Sequence, residues 1–196
     1  MRSRWWRAGG TAWLGLMLLA IGLLPALRRA VESGMATHML LQYPALLLAG
    51  ALLIGPVPRR WQRHLQAWNE LGIAGLLASA LAMAVLMVPR VLDLALVDPR
   101  VENIKLLALV LSGAAIRLSW HRAGTVVQAF YLGNVLPMLV VVGMLYQEST
   151  TRVCNAYRLD EQQTVGIGLV WLSAAIAATW LFALRPGLAP GASEPQ

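Results

Sequence analysis

Apolar residues along this chain gather into long runs, and short arginine-bearing breaks separate them. Six runs stand out, at 11–27, 35–55, 71–88, 102–120, 125–146 and 165–184. A helix needs roughly 20 mostly apolar residues to cross a bilayer, and shorter runs of about 17 suffice when flanking residues reach the interface. Open sheet edges cannot face lipid, so spans of this kind are helices. The alternating pattern of a membrane β-barrel is missing. The pattern predicts an all-α polytopic membrane helix bundle of about six transmembrane helices. Residues 1–10 read as a basic cytoplasmic N-terminus and 11–185 as a single transmembrane domain. Residues 186–196, rich in Pro, Gly, Ala and Ser, read as a disordered cytoplasmic tail.

Composition sharpens this picture. Of 196 residues, 58% are hydrophobic and 13% are charged, where a soluble domain carries about a quarter charged. That excludes a soluble enzyme and a disordered chain. The net charge of +7 does not signal nucleic acid. A nucleic-acid reader concentrates its bases on one soluble face, whereas 15 of the 16 basic residues here are arginines placed mostly between apolar runs. The single cysteine, Cys154, allows no intrachain disulfide.

Arginine placement sets the expected orientation. With the N-terminus inside, the cytoplasmic segments hold 9 basic residues against the two acids Glu70 and Glu194. The outer segments hold 7 basic residues against 7 acids. An N-in, C-in bundle in a bacterial inner membrane is expected. Met1 to Arg7 followed by an apolar run is signal-like, but Arg28 and Arg29 stand where a cleavage site needs small residues, so an uncleaved first helix is expected. Trp5, Trp6, Trp61, Trp68 and Trp120 read as a cytoplasmic interfacial belt. Pro25, Pro44 and Pro137 are expected to kink the helices that contain them.

Catalytic motifs are missing: the sequence has no HExxH pair, no GxSxG elbow and no phosphate-binding glycine loop. No enzyme is expected. The acids cluster at the ends of the runs, which argues against a pump or ion-coupled transporter. The chemistry that stands out lies in Met35-Ala36-Thr37-His38-Met39, with Gln42 four residues past His38. Met35 and His38 share a helix face. Thioether and imidazole ligands suit Cu(I); packing methionines and an interfacial histidine are the plainer reading. Cys154, in the outer segment 147–163, is a second soft donor, and Met144 a third. His64 and His121 fall on the opposite side and read as interfacial residues.

Three blocks resemble the CtaG-type integral-membrane assembly factors of caa-type cytochrome c oxidases, over about residues 35–184. His38-Met39-Leu40-Leu41-Gln42, leading into a proline-bearing apolar helix, resembles the family's HM-x-x-H segment. Val88-Pro89-Arg90 resembles its His-Pro segment. Asp160-Glu161-Gln162-Gln163-Thr164-Val165-Gly166, with Trp171 beyond, is similar to its D-Q-Q-x-x-G-x-x-x-W stretch, with one extra Glu. The chain departs from the pattern in its histidines. Gln42 and Val88 stand at two histidine positions, and Glu102, Asn103 and Lys105 occupy the segment where a further His pair is expected.

The resemblance implies an assembly factor that helps copper reach a haem-copper oxidase on the periplasmic side, with an oxidase subunit or copper chaperone as partner. His38 would be the principal Cu(I) ligand, supported by Met35, Met39 and Cys154. Asp160, Glu161, Gln162 and Gln163 would form an outer polar patch for a partner, or cap the last helix. A metal-free scaffold of the same fold is the alternative, and a small transporter or channel the third reading.

Overall fold

The computed structural model describes residues 2–58, 60–62, 67 and 69–184, with side chains described from residue 10 onward. Among these residues every regular element is helical. In chain order they are α1 (Arg2–Leu23), α2 (Pro25–Glu32), a π-helical turn (Thr37–Gln42) running into α3 (Tyr43–Leu53), α4 (Ile73–Leu86), α5 (Pro89–Val97), α6 (Pro99–Trp120), α7 (Thr125–Glu148) and α8 (Leu159–Leu184). The tail 186–196, His64 and Trp68 lie outside the described residues.

Prolines decide where the helices break. A residue before proline is pushed out of the helical region. Leu24 and Val88 are accordingly extended, with ψ of 117° and 122°, before Pro25 and Pro89. The chain therefore turns by 71° between α1 and α2 and by 75° between α4 and α5. The expected run 11–27 thus ends at Leu23, and Pro25 starts a new helix instead of kinking an old one. Asp98 is extended before Pro99, and its Oδ1 caps α6 by accepting from the Arg100 N–H at 2.8 Å. Pro137 stays inside α7, which continues through it.

By length and apolarity, α7 and α8 can each cross a membrane alone, and each bent pair, α1 with α2 and α4 with α5, is long and apolar enough when taken together. The apolar helix Thr37–Leu53 is shorter. The chain is of the helical membrane-protein class.

Close backbone approach fixes α3 against α6. A Cβ on Gly50 would fall on the carbonyl oxygen of Val110, and one on Gly113 would fall on that of Leu47. Only glycine at both positions lets the two backbones touch. Gly143 and Gly166 do the same for the α7–α8 hairpin, each facing the other's carbonyl. The main apolar core gathers Met35, Met39, Tyr43, Leu46, Leu106, Leu109, Tyr146, Cys154 and Leu169. Further along, an apolar cavity of 340 Å³ lies among α3, α4, α6, α7 and α8, lined by residues that include Met39, Tyr43, Met83, Trp120, Tyr131 and Leu169.

Candidate functional site: a buried ion network

At one end of the bundle, α2, the π-turn, the start of α6 and the loop 149–158 converge. The convergence follows from the breaks: Pro25 and Pro89 turn two short helices across that end, and the loop between α7 and α8 lies with them. Asp93 on α5 ties the loop down, its carboxylate accepting from the Asn155 N–H at 3.0 Å and the Ala156 N–H at 3.3 Å. Gln162 holds the loop from inside, its Oε1 accepting from the Val153 N–H at 2.8 Å and its Nε2 donating to the Tyr146 carbonyl at 3.3 Å.

Beneath this roof sits Lys105, with a side chain only 1% exposed. It lies six residues into α6, so about 9 Å below the helix start at 1.5 Å per residue. Its ammonium is 2.7 Å from His38 Nε2, 2.8 Å from Glu102 Oε2, 3.3 Å from Gln42 Oε1 and 3.4 Å from Glu32 Oε1. Gln42 Nε2 in turn donates to Glu32 Oε1 at 3.0 Å. Arg28, 4.0 Å from Glu32 Oε2, supplies a second cation at the rim. Two cations thus face two carboxylates, and the cluster is balanced without an added ion.

The donor inventory fixes the proton on His38. An ammonium only donates, so Nε2 must accept from Lys105. Nδ1 therefore carries the hydrogen and donates to Tyr157 Oη at 2.6 Å. The Tyr157 hydroxyl then donates to the Glu32 carbonyl at 2.9 Å. The result is one directed relay from Lys105 through His38 and Tyr157 to the α2 backbone. The His38 ring also meets the Tyr43 and Tyr157 rings edge-on, at 5.8 and 6.1 Å between centroids. Glu102 is the strained member of the set. Its Oε2 touches the ammonium as an ion pair off hydrogen-bond alignment, and its Oε1 has no hydrogen-bond partner among the described residues.

The π-turn explains how the local sequence serves this site. Widening the helix across Thr37–Gln42 brings His38, Met39 and Gln42 inward together, and π-bulges of this kind are frequent at functional sites. Met35 and Met39 are buried as well, in the same apolar core as Cys154. Cys154 Sγ lies 3.8 Å from Tyr146 Oη. The four residues expected to hold copper are therefore all buried at one end. His38, however, is engaged at both ring nitrogens. Among the described residues, no three His, Cys, Asp or Glu side chains gather in a metal-holding arrangement. Met144 faces outward, 48% exposed. His121 sits on the surface 3.3 Å from the Arg117 guanidinium.

The polar string on α8 divides. Gln162 turns inward to the loop, while Gln163 is exposed and Asp160 is an exposed partner of Arg158 at 3.1 Å. Asp160 and Glu161 lie in the first turn of α8, where negative charge suits the helix dipole. Glu32, Glu102, Lys105 and Tyr157 are the residues that reading the sequence as functional candidates passes over. The signal for two of them is the i, i+3 spacing of Glu102 and Lys105 at the start of an apolar run, which puts opposite charges on one helix face.

The loop thiol gives a direct check on this roof. Burial pushes Cys154 up to about 11, the Asp93 carboxylate adds to the rise, and the Tyr146 hydrogen bond opposes it. The neutral thiol is favoured and the thiolate is the nucleophile. Alkylation by iodoacetamide should be slow at neutral pH and should climb about tenfold per pH unit without levelling below about 11. Mass-spectrometric rates that level off near the ordinary 9.0 would mean that the loop leaves the thiol in water.

No family model, no curated protein and no solved structure matches the chain.

Proposed function

We propose that the chain is a metal-free membrane scaffold that assists assembly of a respiratory haem-copper oxidase in a bacterial inner membrane. The observation that carries the metal-free part is the Lys105 ammonium 2.7 Å from His38 Nε2, with Tyr157 on Nδ1. A tethered cation stands beside the one imidazole nitrogen that could meet a metal, and both carboxylates nearby face it. The oxidase as client rests on the resemblance of His38-Met39 and of Asp160 to Trp171 to the CtaG-type pattern. The reading includes six spans with both termini inside: the two bent pairs, Thr37–Leu53, α6, α7 and α8. The loop 149–158 would then face the periplasm. The absence of catalytic motifs supports a non-enzymatic role.

A second reading is copper delivery. It draws on the burial of Met35, Met39 and Cys154 in the same core, beside His38. Copper per chain separates the two. The protein would be purified in detergent under reducing conditions, loaded with Cu(I) and freed of excess. The scaffold reading expects no stoichiometric copper in wild type or in His38→Ala. One copper per chain, lost in His38→Ala, would replace it with the delivery reading. Oxidase levels unchanged in a deletion strain would remove the oxidase as client.

A further inference from the structure

Asn134 sits near the middle of α7, an apolar 24-residue helix long enough to cross a bilayer, and it is exposed. Its Nδ2 donates back to the Phe130 carbonyl at 2.7 Å, and its Oδ1 accepts from no described residue. Pro137, three residues on, has no N–H to offer the carbonyl of Gly133, four residues before it. A second acceptor is thus loosened beside the first. In hydrocarbon no water pairs such groups, and polar side chains on membrane helices bond across to neighbouring helices.

Asn134 opens on a groove of 440 Å³ between α4 and α7. Its α4 wall carries Ala80, Leu81 and Ala84, and its α7 wall carries Phe130, Asn134 and Met138. Small residues on one wall let a helix backbone approach closely. Leu81 is 60% exposed and Phe130 73%, so the groove is open to the outside of the bundle. A two-fold pairing would set this concave surface against itself, which leaves the space unfilled. A single convex helix fills it.

We infer that the groove between α4 and α7 seats one transmembrane helix of another protein, bonded at mid-span by a hydroxyl or amide donor to Asn134. The inference deepens the scaffold reading, on which it rests for the partner's identity, by naming where a client helix is held and what that helix must carry.

The test uses the full chain in nanodiscs and two fluorescent Leu/Ala peptides of about 20 residues, long enough to span. One has a central Ser and the other a central Ala. Energy transfer to a dye on the chain reads binding, at peptide dilutions where each peptide is monomeric. The Ser peptide should bind about threefold to thirtyfold tighter than the Ala peptide. Asn134→Leu should erase that difference while leaving the Ala peptide unaffected, and Ala80→Trp should block both. Equal binding of the two peptides, or a difference that survives Asn134→Leu, overturns the inference. Spontaneous disulfide pairing of Phe130→Cys chains with one another in membranes would also overturn it, in favour of a second copy. Ser-selective binding together with normal oxidase levels in a deletion strain would keep the groove and remove the oxidase client.

Discussion

Lys105→Ala should destabilise the protein by about 3–5 kcal/mol, the cost of leaving a buried charge without its partner. The expected loss comes less from the attraction removed than from what stays behind. Glu102, 3% exposed, would keep a carboxylate with no cation within contact and with an oxygen that already lacks a hydrogen bond. His38 Nε2 and Gln42 Oε1 would each lose their donor, adding a desolvated acceptor apiece. The pair Lys105→Met with Glu102→Gln removes both charges at similar volume and should recover most of the loss, because a buried ion pair replaced by neutral packing is often close to neutral. Unfolding midpoints in mixed micelles check this. A Lys105→Ala loss under about 1 kcal/mol, near the value of an exposed pair, would mean that water reaches the network. The same variant bears on function. It empties the space beside His38 Nε2, so a Lys105→Ala chain that gains Cu(I) where wild type has none would identify the ammonium as the group that keeps metal out.

The helical class and the apolar runs were legible because hydrophobic periods are local properties. Each expected run corresponds to a helix or a bent pair, with one shift of meaning at the prolines. Pro25 and Pro89 read in sequence as a kink within a run and as a segment after one. In the structure each starts a short helix turned by 71° or 75° from its predecessor. The direction of such a turn depends on what the new helix packs against, which no local pattern contains. The candidate site was legible at His38 and Gln42 and illegible at its centre. Lys105 and Glu102 looked like charges at the edge of a span, where solvated side chains are ordinary. Their burial depends on α2 and the loop 149–158 folding over the start of α6, with Tyr157 reaching 119 positions along the chain to His38. Contacts of that separation leave no trace in spacing. The soft donors Met35, Met39 and Cys154 lie in one buried core, a placement of Cys154 that no sequence spacing could give, and the atom 2.7 Å from His38 Nε2 belongs to a lysine that soft-ligand logic never considers.

Gly113→Leu should be the most damaging substitution outside the ion network, at about 3 kcal/mol or more. Adding bulk to a packed core commonly costs about 1–3 kcal/mol when neighbouring side chains can shift. Here the neighbour is backbone: a Cβ at Gly113 meets the Leu47 carbonyl, and one at Gly50 meets the Val110 carbonyl. Neither carbonyl can rotate away without breaking its helix, so the α3 and α6 axes must separate. Separation would also pull on the site, since α6 carries Lys105 and α3 continues the turn that carries His38. Even Gly113→Ala should unfold measurably more easily than wild type. Gly133→Ala is the control, because that glycine faces nothing within 4 Å. There alanine should be neutral or should stabilise by up to about 1 kcal/mol through helix propensity. Gly50→Ala with Gly113→Ala should cost less than the sum of the two single changes, because one separation of the helices relieves both clashes, and neighbouring sites of this kind do not add. Strict additivity in micelle unfolding would mean that the two glycines sit in independent contacts, and that α3 and α6 do not cross through them.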